Sequence, residues 1–231
     1  MQEPRPTLES TLLELPRLVN HRIYQKTNLL NDEDFDNLVK YRDYRNDNNH
    51  GAIFREDGSM TLLTDLTEDD EDFSFKKTKT TVISHNFSID DLTKGMGEPF
   101  RPTFIQTQKA MLELGLKNPQ PFESRFLRLN VITEWHKHLP LKKYKQFNQF
   151  NTWVSTMYMH PKWDTKHGGA LRVGLIPEEI IATCQCYSNS VIFHPVFYGH
   201  DVAPIYSGYE GDRDVLVTHW VEYSQNELTN I

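Results

Sequence analysis

The stretch YMHPKWDTKHGGALRV, residues 158–173, has the pattern of two strands joined by a polar turn. Pro161 ends the first strand, because proline lacks the N–H that a central strand must donate. Gly168 and Gly169 open the second strand, where a glycine pair suits positive φ angles or a close approach of two backbones. By itself this pattern predicts a strand connection and no chemistry. Whether it belongs to a functional site depends on the sequence on either side of it.

The segment EWHKH, residues 134–138, lies upstream of this connection. Residues two apart on an extended strand share a face, so Glu134, His136 and His138 would point the same way. Two neutral imidazoles on one face can chelate a divalent metal such as iron, zinc, copper or nickel. A His-x-His pair also arises incidentally on surface strands, so this pair indicates a metal site only together with other ligands.

A histidine and an arginine follow downstream of the connection. His200 comes shortly after the apolar run 191–193, and Arg213 begins the last apolar run of the chain. If these two strands are neighbours, His200 and Arg213 face one cavity, in which the guanidinium would bind a carboxylate through two parallel hydrogen bonds. The alternative is a surface ion pair between Arg213 and a flanking carboxylate, Asp212 or Asp214.

The sequence pattern of the second half of the chain is typical of a β core. Strand-like runs follow one another there, with Gly, Pro, Asn and Asp between them, over residues 126–132, 152–159, 170–175, 190–193, 201–205 and 215–221. Several short strands at this spacing are typical of a β-sandwich or a barrel.

The first half of the chain is expected to support that core. Asn31 has the properties of a helix N-cap with acidic residues behind it, and the apolar spacing predicts a helix to about Tyr44. A second helix is predicted over 103–114, and short strands are predicted over 52–54, 60–63 and 81–83. No Pro/Gly/Ser linker divides the chain, so we expect one domain over 1–231, with the support in 1–120 and the β core in 121–231.

In this order, the pieces resemble the double-stranded β-helix of the Fe(II)/2-oxoglutarate-dependent oxygenases, specifically the prolyl 4-hydroxylase-like group. That family has a His-x-Asp motif, a strand ending in a Tyr-Leu-Asn-x-x-Trp-like sequence, a Gly-Gly-x-Leu strand, a second histidine, and an Arg or Lys before a strand ending in Trp. The matching segments here are 158–163, 168–173, 191–193, 200–204 and 213–220. The resemblance covers about residues 125–223. It implies an α+β fold, with a double-stranded β-helix (jelly-roll, cupin-like) core and N-terminal supporting helices.

The resemblance also implies a role for each matching residue. His136 and His200 would be metal ligands, Arg213 would bind the C5 carboxylate of 2-oxoglutarate, and Tyr158 would hydrogen-bond the same carboxylate. The implied metal is Fe(II), the cosubstrate is 2-oxoglutarate, and ascorbate is an optional addition. The implied activity is that of a dioxygenase that hydroxylates an aliphatic C–H bond, in the first instance of a prolyl or other amino-acid residue.

The chain departs from the family at one position, because His138 stands where the family has its aspartate. A first interpretation is a three-histidine site of His136, His138 and His200. A second is a site that begins at His138 and has Pro140 in place of the carboxylate, as in the halogenase branch. A third is a degenerate site in a non-catalytic binding module, and a fourth is a carboxylate supplied by Glu134. A three-histidine dioxygenase that needs no 2-oxoglutarate is a further alternative.

Composition excludes several other classes. The chain has 231 residues, 38% of them apolar and 25% charged, which is typical of a folded globular protein. Its net charge of −7 argues against nucleic acid as a partner. No apolar run approaches the roughly 18 residues of a membrane span, and the N-terminus lacks the features of a signal peptide. We therefore expect a cytoplasmic protein without a membrane partner, acting on a small molecule, a peptide or a protein.

The remaining chemical groups have simpler expected roles. Cys184 and Cys186 are expected to be free thiols, and the fold is not expected to depend on disulfides. His160, His167, His194 and His219 are expected to be structural or exposed.

Overall fold

The structure is a computed structural model, and it describes residues 17–20, 22–47, 52–54, 59–62, 65–70, 80–84, 88–129, 135–137, 151–160, 163–206 and 213–222. The elements of the first half are, in chain order, β1 (Arg17–Asn20), β2 (Ile23–Thr27), α1 (Asp32–Asp47), β3 (Ala52–Phe54), β4 (Met60–Leu62), β5 (Thr80–Ser84), α2 (Ile89–Met96) and α3 (Arg101–Glu113). Those of the second half are β6 (Pro119–Leu129), β7 (His136–Lys137), β8 (Thr152–Tyr158), β9 (Leu171–Ile176), β10 (Glu179–Cys184), β11 (Ser190–Pro195), β12 (Gly199–Val202) and β13 (Arg213–Glu222).

Strands β6 to β13 alternate between two sheets. The larger sheet has the neighbour order β11-β8-β13-β6, the smaller sheet has the order β10-β9-β12-β7, and all of these neighbours pair antiparallel. Only the β9–β10 hairpin stays within one sheet; every other step along these described strands crosses to the opposite one. A chain that crosses back and forth in this order forms a double-stranded β-helix, so the predicted fold class is confirmed.

Strands from the first half extend the larger sheet on both sides. β2 pairs with β11 and β1 continues beyond it, while β5 pairs with β6 and is followed by β3 and β4. These additions cover both sides of the β-helix strands in that sheet, which leaves β8 and β13 as central strands, buried at nearly every residue.

Short-range capping explains where two of the helices begin. The Asn31 side chain accepts a hydrogen bond from the Asp34 backbone N–H at 2.8 Å, as predicted for the N-cap of α1. Ser88 accepts from the Asp91 N–H at 3.0 Å and caps α2 in the same way. No helix among the described residues is long and apolar enough to cross a membrane.

Two apolar cores lie on the two faces of the larger sheet. The outer core joins the helices to the sheet and includes Leu38, Leu92, Met96, Phe100, Phe104, Met111, Trp153, Met157, Phe193, Leu216 and Trp220. The inner core fills the β-helix between the two sheets and includes Val154, Tyr158, Leu171, Val173, Cys184, Cys186, Ile192, Val202, Val215 and Val217. Because side chains alternate along a strand, β8, β11 and β13 contribute to both cores.

Most predicted elements are present with shifted ends, and a few were missed. The strand predicted over 201–205 is wrong at both ends, because β12 runs over Gly199–Val202. Pro204 has no N–H to donate, and Ile205 makes only an isolated bridge to Gly168. The pattern also missed β1, β2, β10 and α2. Both cysteines are free and buried, as expected.

We expect Trp220→Ala to lower the free energy of unfolding by about 3–5 kcal/mol, since a large buried side chain leaves a cavity when truncated. Trp220 is fully buried in the outer core, and its Nε1–H donates to Ser155 Oγ at 2.8 Å. Urea denaturation measures the effect. Leu112→Ala is the control, since Leu112 is 50% exposed on α3 and its truncation should change stability by only about 0.5 kcal/mol. Equal losses for the two variants would contradict this packing.

Candidate functional site

Two histidines meet where β7 and β12 pair in the smaller sheet. His136 lies directly opposite His200 in the strand register, and their ring centroids are 4.3 Å apart. His200 is buried and His136 is half-buried. The sheet therefore brings together two of the three predicted metal ligands, which are 64 residues apart in the sequence.

The third predicted ligand, His138, lies outside the described residues, and so do Glu134 and Pro140. Among the residues that the structure describes, no three histidine, cysteine, aspartate or glutamate side chains form a group that could hold a metal ion. The donor chemistry of the described pair nevertheless suits a divalent transition metal, because neutral imidazole is a good ligand for such ions. A third ligand would have to come from a neighbouring part of the chain.

His200 is held in the form that binds metals. Burial, followed by the nearby imidazoles of His194 and His136, lowers the pKa of His200 well below its usual value. The imidazole of His200 is therefore neutral at physiological pH and presents a lone pair. Arg213 is also among the charges that lower this pKa, so His200 and Arg213 act on each other across one interior.

A further buried histidine faces the same interior from the larger sheet. The ring centroid of His194 lies 5.1 Å from that of His200. Its Nδ1–H donates to the Pro195 carbonyl at 3.0 Å, and its Nε2 has no hydrogen-bond partner among the described residues. Burial lowers the pKa of His194 to about 4, so this ring is also neutral.

The described carboxylates near the histidines already have partners. Asp201, next to His200 in sequence, pairs with Arg172 through two hydrogen bonds. Glu123, which is buried on β6, contacts Arg125 at 2.5 Å and His219 Nδ1 at 3.3 Å. Because Asp201 and Glu123 are engaged in these contacts, imidazole nitrogens are the metal donors that the described residues offer beside the β7–β12 pair.

Arg213 and Tyr158 lie side by side inside the β-helix, and we call this pair of buried polar side chains the anion pocket. Both side chains are at least 99% buried, and the Arg213 guanidinium carbon lies 5.5 Å from the centre of the Tyr158 ring. Arg213 Nη1–H donates to the Gly169 carbonyl at 2.6 Å, which orients the guanidinium. The flanking Asp214 pairs instead with Arg42, at 3.2 Å, so the surface ion pair considered for Arg213 does not form with Asp214.

Two donors in this pocket have no partner among the described residues, namely Arg213 Nε and Tyr158 Oη. Burial raises the pKa of Tyr158, so its hydroxyl stays protonated and able to donate. A buried guanidinium beside a buried hydroxyl leaves polar groups unpaired at a substantial cost in free energy. A bound carboxylate would accept from both groups and remove that cost.

Gly169 is the residue that brings the chain close to this pocket. It has φ +70°, a conformation that L side chains rarely adopt, and a Cβ built on it would lie 2.9 Å from the Trp163 ring. Position 169, just before β9, therefore requires glycine, as predicted. The carbonyl of Gly169 also accepts the hydrogen bond that orients Arg213.

His160 is a buried polar residue at this end that the sequence reasoning did not select. Its Nε2–H donates to the Cys186 carbonyl at 2.9 Å, its ring centroid lies 5.6 Å from that of Tyr158, and its Nδ1 has no partner among the described residues. Strand periodicity contains the signal that would have found it, because residue i+2 shares the face of Tyr158. The same rule places His194 beside Ile192 and His219 beside Val217.

The arrangement suits a ligand with a metal-chelating end and an anionic end. The pair of His136 and His200 lies in the smaller sheet, and the pocket of Arg213 and Tyr158 lies in the same interior. His200, Arg213 and Tyr158 are buried, which strengthens their electrostatic interactions with a ligand.

No protein-family model and no curated protein matches the chain. Solved structures do match it in fold. A prolyl-4-hydroxylase from Pseudomonas putida is 13% identical, with a TM-score of 0.52 over 88% of this chain and 94% of that one. A prolyl hydroxylase from Trichoplax adhaerens, in complex with a hypoxia inducible factor oxygen degradation domain peptide fragment, is 9% identical, with a TM-score of 0.53 over 91% of this chain and 88% of that one.

A third match is SnoN, a non-heme α-ketoglutarate-dependent epimerase from nogalamycin biosynthesis. It is 11% identical, with a TM-score of 0.54 over 88% of this chain and 78% of that one. At such identities the likeness is one of fold. The resemblance to prolyl 4-hydroxylases drawn from the sequence is therefore confirmed at the level of fold.

Proposed function

We propose, from a fold that the chain shares with Fe(II)/2-oxoglutarate-dependent oxygenases, that it is a dioxygenase of this class and hydroxylates an aliphatic C–H bond. The observation that carries the proposal is the anion pocket, in which Arg213 Nε and Tyr158 Oη are buried without a partner among the described residues. Most buried polar groups in folded proteins have a hydrogen-bond partner, so these two unpartnered donors favour a ligand that accepts from both. The far carboxylate of 2-oxoglutarate is the ligand that matches them.

His136, His138 and His200 would hold the Fe(II). His136 and His200 already lie side by side with their rings 4.3 Å apart. His138 is two residues beyond His136, which places it on the same face if the chain stays extended past Lys137. Bound iron would supply the activation of O₂, by which one oxygen atom enters the substrate as a hydroxyl and the other enters succinate as 2-oxoglutarate loses CO₂.

The protein itself binds, orients and shields the reactants. Arg213 and Tyr158 would hold the far carboxylate of 2-oxoglutarate, and its keto-acid end would then be free to chelate the iron. The Gly169 carbonyl keeps the guanidinium in place through its 2.6 Å bond to Nη1. The inner core around the site is apolar, so water is kept from the reacting groups.

A prolyl or other amino-acid residue is the first candidate for the substrate. The Trichoplax adhaerens neighbour holds a peptide fragment, which supports a peptide or protein substrate, whereas SnoN supports small-molecule chemistry on the same fold. The proposal also includes an atypical His-x-His motif as the source of two metal ligands. It further includes the use of ascorbate, a cytoplasmic location and one domain over 1–231.

The test is turnover by protein purified without air. We expect about one equivalent of iron per chain and O₂-dependent conversion of 2-oxoglutarate to succinate, which a panel of proline-containing peptides and free amino acids should stimulate selectively. A chain that holds no iron after reconstitution and forms no succinate would instead be a non-catalytic binding module. Succinate formation that no member of the panel stimulates would overturn the amino-acid substrate alone.

A further inference from the structure

His160 has its ring centroid 5.6 Å from that of Tyr158 and brings a third polar atom to the side of the anion pocket, one that neither the resemblance nor the fold assigns. His160 Nδ1, Tyr158 Oη and Arg213 Nε are all buried without a hydrogen-bond partner among the described residues. His160 lies two residues beyond Tyr158, on the same face of the chain, and is 99% buried. The ring centroid of His160 also lies 4.9 Å from that of Trp163, with the two rings tilted by 43°.

The hydrogen bond at Nε2 determines what His160 presents to the pocket. A carbonyl only accepts, so the contact with the Cys186 oxygen places the ring proton on Nε2. In the neutral ring Nδ1 is then a lone pair. A lone pair repels a carboxylate, whereas a protonated Nδ1–H would donate to it.

The groups around His160 favour the neutral ring as long as no anion is bound. Burial is the largest influence, and the positive charges of Arg213 and Arg42 add to it, so the pKa of His160 is lowered to about 4. The bond to the Cys186 carbonyl acts in the opposite direction; its effect is smaller than that of burial and larger than that of either arginine.

No described carboxylate opposes these positive charges at His160. Asp214 on β13 pairs with Arg42 of α1 at 3.2 Å. The nearby thiols Cys184 and Cys186 are neutral, since burial raises their pKa values to about 12 and about 11. Tyr158, two residues before His160, is also protonated, since burial raises its pKa.

We propose that His160 is a third ligand of the far carboxylate of 2-oxoglutarate, and that this dicarboxylate binds together with one proton, which is taken up at His160 Nδ1. This inference rests on the proposed function, because it takes 2-oxoglutarate as the occupant of the pocket. The bound anion would offset the charge of Arg213 and accept from Nδ1–H, and both effects favour protonated His160.

The sign of the pH dependence follows from this coupling. The pKa of His160 is low without the ligand and raised with it, so between these two values binding takes up a proton. Affinity for 2-oxoglutarate should therefore fall as the pH rises, by up to about tenfold per pH unit, and should level off above the pKa of the complex. A site built from Arg213 and Tyr158 alone would show no such slope.

Calorimetric titration of the anaerobic Fe(II) protein with 2-oxoglutarate tests the inference. Titrations in two buffers of different ionisation enthalpy, between pH 5.5 and 7.5, give the number of protons taken up. We expect the wild type to bind as many as one proton more than His160→Asn does. The variant should bind 2-oxoglutarate more weakly at pH 5.5, and its affinity should vary less with pH. His167→Asn is the matched control, because His167 lies outside the pocket, and it should behave as the wild type.

Equal proton uptake in the wild type and His160→Asn would overturn the role of His160 and leave the proposed function standing. A wild-type chain that holds iron and binds no 2-oxoglutarate would overturn both. If His160→Asn fails to fold, the slope of the wild-type affinity decides, since a pH-independent dissociation constant contradicts proton-coupled binding.

Discussion

Arg213→Ala should weaken the binding of 2-oxoglutarate at least ~30-fold and abolish succinate formation. Truncating one partner of a buried, hydrogen-bonded charge pair costs about 2–5 kcal/mol, and each 1.4 kcal/mol is a factor of ten in affinity. Arg213 is 99% buried and is the one described arginine that faces Tyr158 in the inner core. Titration of the anaerobic Fe(II) protein and an assay of succinate measure the two effects.

Two further variants make this result specific. Arg101→Ala removes an arginine that pairs with Asp90 at the surface and should leave 2-oxoglutarate binding unchanged. Tyr158→Phe removes only a hydroxyl and should weaken binding roughly 10- to 150-fold, the range for a hydrogen bond to a charged group. A three-histidine dioxygenase that needs no 2-oxoglutarate would keep its activity in Arg213→Ala, so retained turnover there would contradict the proposed cosubstrate.

His200→Ala should reduce the iron content from about one equivalent to near zero. His200 supplies one of the two described imidazoles at the centre, and the remaining donors would be one short of a facial set. His136→Ala should have the same effect, whereas His167→Ala should retain iron, because His167 lies away from the β7–β12 pair. Metal analysis of protein prepared without air measures this, and iron retained at wild-type stoichiometry in His200→Ala would contradict the assignment.

His138→Ala separates the interpretations of the metal site that the sequence left open. If His138→Ala and His136→Ala each lose iron as single variants, the result supports the three-histidine centre. If Glu134 supplies a carboxylate in place of His138, then Glu134→Gln should lose iron and His138→Ala should retain it. A site that begins at His138 should instead tolerate the loss of His136.

The sequence predicted the β core because its strands carry strong local signals. β8 and β13 are apolar runs bounded by turn residues, and the structure has them at nearly the predicted positions. β10 lies at the edge of the smaller sheet, and its burial follows no strict alternation, so a period of two residues did not mark it as a strand. α2 was missed because it is only eight residues long and includes a glycine.

The candidate site was only partly predictable, because sheet pairing is a long-range property. Nothing local in His136 indicates that it lies opposite His200, since β7 is two residues long and exists only through its neighbour β12. The burial of His160 and His194 likewise depends on which strand face points inward. Counting in steps of two from Tyr158 and Ile192 would have placed both histidines in the interior.

The absorption spectrum of the anaerobic Fe(II) protein, recorded before and after addition of 2-oxoglutarate, tests most directly whether the histidines and the anion pocket share one ligand. A visible charge-transfer band should appear on addition in the wild type, require a much higher concentration of 2-oxoglutarate in Arg213→Ala, and be absent in His200→Ala. Protein that holds about one equivalent of iron and gives no band at saturating 2-oxoglutarate would contradict a shared site.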